Sequence, residues 1–135
     1  MIAAAALLVL AQAAPAIETE EIDCEHAQYQ IEMNLCAARE FEAADAELNR
    51  QWAETSARMK ALDAELDREH DRQPGHFDTL LEAQRAWLRF RDAQCLSESF
   101  MARGGSMQPM LDSQCKTYLT VQRTEQLRNL AAGPE

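Results

Sequence analysis

The sequence predicts an all-α fold, in which a long helix packs against a disulfide-closed antiparallel helical hairpin as a three- to four-helix bundle. Helix breakers are scarce, with 4 Gly and 4 Pro in 135 residues, while Ala, Leu, Glu, Gln and Arg are abundant. Apolar residues recur at steps of three and four, without the alternation that is typical of a strand. The chain also has 4 cysteines, an even number that suggests covalent cross-links.

The net charge indicates which kind of molecule this protein is expected to bind. The formal net charge is -10, from 23 acidic and 13 basic residues. Proteins that bind nucleic acid are usually basic, so no nucleic-acid partner is expected. An acidic surface instead attracts basic proteins, which favours a protein partner.

The first element is an uncharged segment, MIAAAALLVLAQAAPAI, that ends before Glu18. An apolar run followed by small residues is typical of a secretory signal, and we assign residues 1–16 to a signal peptide. Residues 17–135 then form a single helical domain, periplasmic or secreted. The run is too short to span a bilayer as a helix, so no membrane insertion is expected after cleavage. No Lys or Arg precedes the run, which leaves a buried N-terminal helix as the alternative.

Export changes what the cysteines imply. In an oxidising compartment, two disulfides are expected among Cys24, Cys36, Cys95 and Cys115, and three pairings are possible. The spacings are not C-x-x-C, and the chain has 3 His. The sequence therefore predicts neither a metal site nor a cofactor.

The second element is a long helix predicted over residues 31–72, or two nearly collinear helices over the same stretch. No Gly or Pro interrupts it before Pro74-Gly75, and a continuous helix would be about 60 Å long. Such a helix cannot bury its apolar stripe against itself, so other helices must lie along it. Thr55 fills the one gap in the stripe, which consists of Met33, Ala37, Phe41, Ala44, Leu48, Trp52, Met59, Leu62 and Leu66.

Two further helices are predicted after the Pro74-Gly75 break. Asp78 is a fair N-cap for the first of them, which we place over residues 79–101. The last helix is predicted over residues 107–130. It groups five apolar residues on one side: Met107, Met110, Leu111, Tyr118 and Val121.

A short glycine-rich turn joins these two helices. Gly104 or Gly105 is expected to adopt the left-handed conformation that ends a helix, and Ser106 to cap the next one. Pro109 then falls within the tolerant first turn. A small, exposed hairpin tip could also enter a partner's cleft, so Gly104, Gly105 and Ser106 are candidate partner contacts.

The hairpin geometry favours one disulfide pairing. Cys95 and Cys115 each lie about nine residues from the turn, which brings them opposite each other in an antiparallel hairpin. Cys24 and Cys36 remain. Continuous helix would separate them by about 18 Å, so the chain must bend between them if they pair. The crossed alternative, in which each of them is bonded to the hairpin, stays open.

Two polar residues lie on the apolar side of the second predicted helix. At about 100° per residue, Gln84 and Arg91 fall within the arc of Leu80, Leu81, Ala83, Trp87, Leu88, Phe90 and Cys95. A buried charge without a partner is very costly, so partners must come from another helix.

The long helix offers such partners. We predict an Arg91–Asp45 ion pair, with Gln84, Asn34 or Asn49 completing the hydrogen bonds and the pair fixing the register of the hairpin. Asp92 points about 100° away from Arg91 and is the poorer partner. The alternative reading makes Arg91 a substrate or anion contact.

No catalytic constellation stands out in the sequence. Paired carboxylates such as Glu40 with Glu42 and Asp63 with Glu65 are typical of a solvated face rather than of an acid–base pair. No Ser-His-Asp context and no glycine-rich phosphate loop is present. We therefore predict no catalytic residues and no enzyme activity.

The order of several motifs resembles a known family. Met33-Asn34, Gln84-Arg85-Ala86-Trp87, Phe90-Arg91-Asp92, Gly104-Gly105-Ser106 and the four cysteines resemble the lysozyme inhibitor LprI-like domain, over about residues 24–130. The resemblance implies an exported or lipid-anchored helical domain, with lysozyme inhibition attributed to a founding member and no catalytic residues. Because Cys24 follows Asp23 rather than a small residue, no lipid-anchoring cysteine is evident here.

We therefore expect an exported binding protein of the bacterial envelope, acting as an inhibitor of lysozyme. Host lysozymes of the c-type are basic, and an acidic protein would be steered towards them. The alternative is a structural or assembly module that acts through helix–helix pairing without inhibition. The sequence leaves the oligomeric state open.

Overall fold

The structure, a computed structural model, describes residues 22–133 and consists of three α-helices. Helix α1 is Gln30–Ala64, α2 is His76–Ser99 and α3 is Gln108–Ala132, and a 3-10 turn over Phe100–Ala102 prolongs α2. The described range contains no strand, which confirms the all-α prediction. The predicted signal peptide, residues 1–16, lies outside the described residues.

The helices run up, down and up. Asp45 of α1 contacts Arg91 of α2, and Asp63 contacts His76, so α1 and α2 are antiparallel. Gln30 contacts Met110, and Thr55 contacts Leu127 further along both helices, so α1 and α3 are parallel. The hairpin of α2 and α3 therefore packs along the whole of α1, as the sequence predicts.

Helix α1 ends at Ala64, so the predicted extension to residue 72 is wrong. The carboxylate of Asp63 accepts hydrogen bonds from the backbone N–H groups of His76 at 2.6 Å and Phe77 at 3.0 Å. The carboxylate of Asp67 forms a local turn, accepting from the Glu69 N–H at 3.0 Å and lying 2.7 Å from His70 Nδ1. These polar contacts divert the chain ten residues before Pro74-Gly75.

Asp63 also replaces the predicted N-cap of α2. The cap position is Gly75, in extended conformation, and Asp78 lies inside the first turn, so the predicted cap is wrong. Hydrogen bonds from the Phe77 and His76 backbone hold the pKa of the Asp63 carboxyl below its usual value. A Cβ atom at position 75 would lie 3.1 Å from the Asp63 carboxylate and from Arg68 Nη2, so a larger residue there would displace these side chains.

The hairpin turn is tight. Gly104 adopts the left-handed conformation with a φ of 76°, as predicted for one of the two glycines. The residue at the cap position of α3 is Met107, so the assignment of Ser106 as N-cap is wrong. The Gln108 side-chain oxygen instead accepts a hydrogen bond from the Gly104 N–H at 2.9 Å and so braces the turn that precedes α3.

Both disulfides follow the pairing that the hairpin geometry favours. Cys95 bonds Cys115, with their Cα atoms 5.4 Å apart. Cys24 bonds Cys36, because residues 22–29 form no regular helix and fold back onto α1. The crossed alternative is wrong.

The core is partly apolar and partly made of threonine. Its centre is formed by Leu48, Met59, Leu80 and Leu127, with Trp52, Leu62, Phe77 and Trp87 packed around it. Thr55 and Thr120 are fully buried where α1 and α3 meet. Thr55 Oγ1 lies 2.9 Å from the Gln51 carbonyl oxygen and 3.0 Å from that of Leu127, so the buried hydroxyl is satisfied within the bundle.

Several apolar residues expected inside lie outside. Phe90 is 54% exposed, and Ala83 is exposed beside it on α2. On α3, Met107, Tyr118 and Val121 are exposed, because the buried face of this helix is built from Thr120, Thr124 and Leu127. The inward orientation predicted for Phe90 and Ala83 is wrong, whereas the shared side predicted for the α3 residues exists but faces solvent.

Candidate functional site

The first polar region of interest is the buried guanidinium of Arg91, which is 7% exposed at the middle of α2. Its Nη1 donates a hydrogen bond to Asp45 Oδ1 at 3.0 Å, and its Nε donates to Asp92 Oδ1 at 2.9 Å. Asp45 belongs to α1, so this ion pair joins the hairpin to the long helix. Two carboxylates face the single buried cation.

Aromatic rings complete the surroundings of Arg91. Its guanidinium carbon lies 5.1 Å from the ring centre of Phe41 and 5.2 Å from that of Trp87, within the range of a cation–π contact. Nη1 is also 3.4 Å from the hydroxyl oxygen of Thr120 on α3. All three helices therefore meet at this one side chain.

The predicted polar network is only partly assembled. Asn49 Nδ2 donates to Asp45 Oδ2 at 3.3 Å and orients the carboxylate that Arg91 contacts. Asn34 is remote from Arg91, and Asp92, expected to be the poorer partner, contacts Nε directly. Asp92 reaches Nε because a long guanidinium side chain can bend back along its own helix towards solvent.

Gln84 pairs with a residue that sequence reasoning missed as a partner. Its Oε1 accepts a hydrogen bond from Arg123 Nε at 2.9 Å, and the Arg123 guanidinium lies 5.9 Å from the Trp87 ring centre. Burial lowers the pKa of Arg123. The available signal was its spacing, because Arg123 follows the buried Thr120 by three residues and so shares its side of α3.

The groups around Arg91 pair with its guanidinium inside the protein, so they do not present its charge to an external ligand. Arg91 lines an open groove of about 430 Å³ between α1 and α2, together with Asp45, Arg85 and apolar and amide side chains such as Trp52 and Asn49. The residues that line this groove include no Ser, Cys or His. Within residues 22–133, no group of three or more His, Cys, Asp or Glu is placed to hold a metal ion.

The second region is the hairpin tip, which we define as residues 100–107. Arg103, Gly104, Gly105 and Ser106 are all exposed, and Met101 is 92% exposed. A Cβ atom built on Gly104 would meet no atom within 4 Å, so the tip stands clear of the bundle. The three candidate partner contacts from the sequence all lie here.

Hydrogen bonds fasten the tip to the bundle. Asn34 Nδ2 donates to the Ser106 carbonyl oxygen at 2.9 Å, and the Gly105 N–H donates to the Ala102 carbonyl at 2.9 Å. Gln108 Nε2 lies 3.4 Å from the hydroxyl of Ser99, which is fully buried. Asn34, expected near Arg91, thus connects α1 to the tip instead.

Arg103 is the cation of the tip. Its guanidinium carbon lies 4.4 Å from the ring centre of Phe100, which holds the side chain beside the 3-10 turn. None of the ion pairs formed within residues 22–133 involves Arg103. Its donors therefore remain available to a partner.

Charge is unevenly divided along the chain. Residues 22–75 carry thirteen acidic and six basic side chains, whereas the hairpin, residues 76–133, carries six acidic and seven basic. The acidic surface is thus supplied by α1 and the segments on either side of it. No helix within the described range is long and apolar enough to cross a membrane.

Comparisons with known proteins show which family the sequence resembles. A curated, uncharacterized protein of Rhizobium meliloti (strain 1021) is 43% identical over 129 residues, which cover 95% of this chain and 93% of the relative. No solved structure gives a significant match. The family model described as lysozyme inhibitor LprI matches residues 23–127, from the segment before the first cysteine to the last buried leucine of α3. The chain belongs to the LprI lysozyme inhibitor family.

Proposed function

We propose that the mature protein is an exported inhibitor of lysozyme that acts by stoichiometric binding in the bacterial envelope. The observation that carries the proposal is the family match, which spans nearly the whole described bundle. Residues 1–16 would be removed as a signal peptide, and residues 17–135 would form the inhibitory domain, periplasmic or secreted. Two disulfides suit an oxidising compartment of that kind.

The charge distribution supports a basic partner. The acidic excess lies on α1 and the segments flanking it, so a basic lysozyme would be steered towards one side of the bundle rather than uniformly. Charge complementarity of this kind raises the association rate more than the final affinity. It also makes the encounter sensitive to salt, because the Debye length is about 10 Å at 0.1 M and about 3 Å at 1 M.

The test is a titration of lysis. Purified mature protein is added to lysozyme acting on a peptidoglycan suspension, and the fall in turbidity is followed at several salt concentrations. We expect lysis to stop near an equimolar dose and inhibition to weaken as salt rises. The reduced and alkylated protein serves as the control for fold. An unchanged lysis rate at a tenfold excess of oxidised protein would refute the proposal.

A second candidate function is assembly through helix pairing, and a specific surface favours it. Tyr118 and Val121 of α3 are exposed, as is Met107 at its cap position, with Leu111 half-buried between them. Their spacing of four, seven and three residues places them on one side of the helix. This stripe could pack against another helix in the manner of a coiled-coil seam.

The two functions separate experimentally. Assembly predicts dimers that form with rising concentration in sedimentation experiments and a lysis rate that the protein does not affect. Tyr118→Glu would abolish such dimers, whereas Gln73→Glu, the same charge change at an exposed position between α1 and α2, would leave them. Inhibition predicts the opposite result in the lysis assay.

A further inference from the structure

We propose that the hairpin tip, residues 100–107, enters the substrate cleft of the inhibited lysozyme and directs the Arg103 guanidinium at the catalytic carboxylates. This inference rests on the proposed function and specifies which surface performs it. It is carried by three properties of the tip: its shape, its attachment and a cation that forms no ion pair within residues 22–133.

The shape of the tip suits a narrow cleft. Gly104 and Gly105 add no side-chain width at the turn, and both are exposed. Gly104 has a positive φ and open space around its Cβ position, so the backbone itself forms the leading edge. Met101, in the same tip, is 92% exposed and would add apolar contact surface.

The attachment of the tip lowers the cost of binding. The Cys95–Cys115 bridge closes the hairpin, and Asn34 and Gln108 fix the turn through hydrogen bonds to Ser106 and Gly104. A loop that is held in one conformation before it binds loses less entropy on binding than a mobile loop. Such bonding at an exposed turn is what an inhibitor that inserts a loop requires.

The chemistry of Arg103 matches the chemistry of the cleft. Glycosidases of the lysozyme type use two carboxyl groups that flank the scissile bond, and retaining enzymes place them about 5–5.5 Å apart. A guanidinium has five donors in a planar fork that fits carboxylate oxygens. Arg103 is stacked on Phe100 and takes part in no ion pair within the described chain, so its donors are free for that contact.

The surroundings of the tip would orient the approach. Asp23, Glu25, Glu32 and Glu98 lie at the same end of the bundle, because the Asn34–Ser106 and Gln30–Met110 contacts bring the start of α1 to the hairpin tip. Acidic groups around a cationic tip would meet the basic surface of the enzyme while the tip meets its carboxylates. The acidic end of the bundle would therefore complement the basic surface of the enzyme, and Arg103 would complement its catalytic carboxylates.

The experiment compares charge reversal at two exposed arginines of the hairpin. Arg103→Glu is set against Arg89→Glu, which makes the same charge change about ten residues, or roughly 15 Å of helix, before the end of α2. Inhibition constants come from the lysis assay, and binding is measured directly by calorimetry. We expect Arg103→Glu to weaken inhibition about 30-fold or more, as for a hot-spot residue, and Arg89→Glu to change it by less than about threefold.

Two further measurements sharpen the result. Arg103→Lys keeps the charge but loses the fork, and we expect an intermediate loss of about fivefold to tenfold. A chitin oligosaccharide that occupies the lysozyme cleft should compete with the wild-type inhibitor. Both arginines are exposed, so we expect the variants to fold. Circular dichroism checks that each keeps its helix content.

The outcomes are distinguishable. If wild-type protein inhibits, but Arg103→Glu inhibits equally well or the oligosaccharide fails to compete, the tip proposal is wrong and the proposed function stands. If wild-type protein neither inhibits nor binds lysozyme, the proposed function fails and the tip proposal fails with it.

Discussion

Two arginines of the same hairpin lie in opposite surroundings. Arg91 is buried at the middle of α2, where two carboxylates, two aromatic rings and the Thr120 hydroxyl surround its guanidinium. Arg103 is exposed at the hairpin tip and lies over the Phe100 ring. The first side chain has used donors inside the molecule, whereas the second forms no ion pair within residues 22–133.

The difference follows from the cost of removing a charge from water. A buried cation must be paired and hydrogen-bonded, so the folded chain has to supply partners from several helices at once. An exposed cation carries no such requirement, because water solvates it. In a bundle this small, the fully contacted arginine therefore serves the fold, and the incompletely contacted one is the better candidate for recognition.

The largest effect on stability is expected from removing both partners of the buried cation. In the double variant Asp45→Asn and Asp92→Asn, Arg91 would keep its charge without a carboxylate, and we expect the free energy of unfolding to fall by about 4 kcal/mol. Urea denaturation followed by circular dichroism measures it. Exposed acids of α2 provide the control, with Asp78→Asn and Glu82→Gln making the same charge change.

A companion variant separates charge from packing. Arg91→Met removes the charge but can still pack against Phe41 and Trp87, so we expect a smaller loss of about 1 kcal/mol. If Arg91→Met destabilises the protein more than the double variant does, the account of Arg91 as a costly cation held by its partners is wrong.

The next largest loss of stability is expected from removing the disulfide between the hairpin tip and the surroundings of Arg91. The Cys95–Cys115 bridge lies one turn beyond Arg91 and holds the tip to the interior. With 20 residues of separation, replacing both cysteines by Ser should lower stability by about 3 kcal/mol. Inhibition should also weaken, because the tip becomes more mobile.

The second disulfide is the matched control for this prediction. Replacing Cys24 and Cys36 by Ser removes a bridge of separation 12, with a similar expected cost of about 3 kcal/mol. The tip keeps its own bridge in that variant. Equal losses of inhibition in the two variants, measured at equal fractions of folded protein, would argue against the tip as the contact.

How much of the molecule could be read from the sequence depends on which interactions decide each feature. Three helices and the hairpin disulfide follow from local periodicity and from distances along a helix, both of which the sequence contains. The Arg91–Asp45 contact followed from one strong rule, the cost of a buried charge. Those features were predictable.

Features that depend on contacts between distant segments could not be predicted from the sequence. Helix α1 ends at Ala64 because Asp63 caps a helix that starts thirteen residues after it. The apolar stripe of α3 faces outward because the buried face of this helix is built from Thr120, Thr124 and Leu127. A spacing of three and four residues defines a side of a helix, but it does not say which side the neighbouring helices cover.

Asp63 tests whether exposure alone distinguishes a residue that stabilises the fold from one that is available to a partner. It lies near the surface, yet its carboxylate caps α2. The Phe77 and His76 backbone bonds lower the pKa of this carboxyl in the folded state. The ionised cap therefore stabilises α2 fully above the usual value of 3.8, and the contribution is lost as pH falls through the lower folded pKa. We expect Asp63→Asn to lose less stability than wild type between about pH 5 and pH 2.

The measurement is the urea midpoint at each pH, with Asp78→Asn as the control. Asp78 lies in the first turn of the same helix and lacks the paired backbone bonds that Asp63 accepts. If wild type and Asp63→Asn lose stability in parallel across this range, the capping role of the carboxylate is refuted.

The smallest effect on stability is expected at Asn34, which bonds to the hairpin tip and is remote from Arg91. Its amide donates to the Ser106 carbonyl from a partly exposed position, so Asn34→Ala should change the free energy of unfolding by less than about 1 kcal/mol. The tip should nevertheless loosen. We expect hydrogen exchange at the Gly105 amide to accelerate and inhibition to weaken about threefold to tenfold. Asn49→Ala, on the same helix but bonded to Asp45, should leave both tip measurements unchanged. Identical tip behaviour in the two variants would mean that the Asn34–Ser106 bond does not hold the tip in its binding conformation.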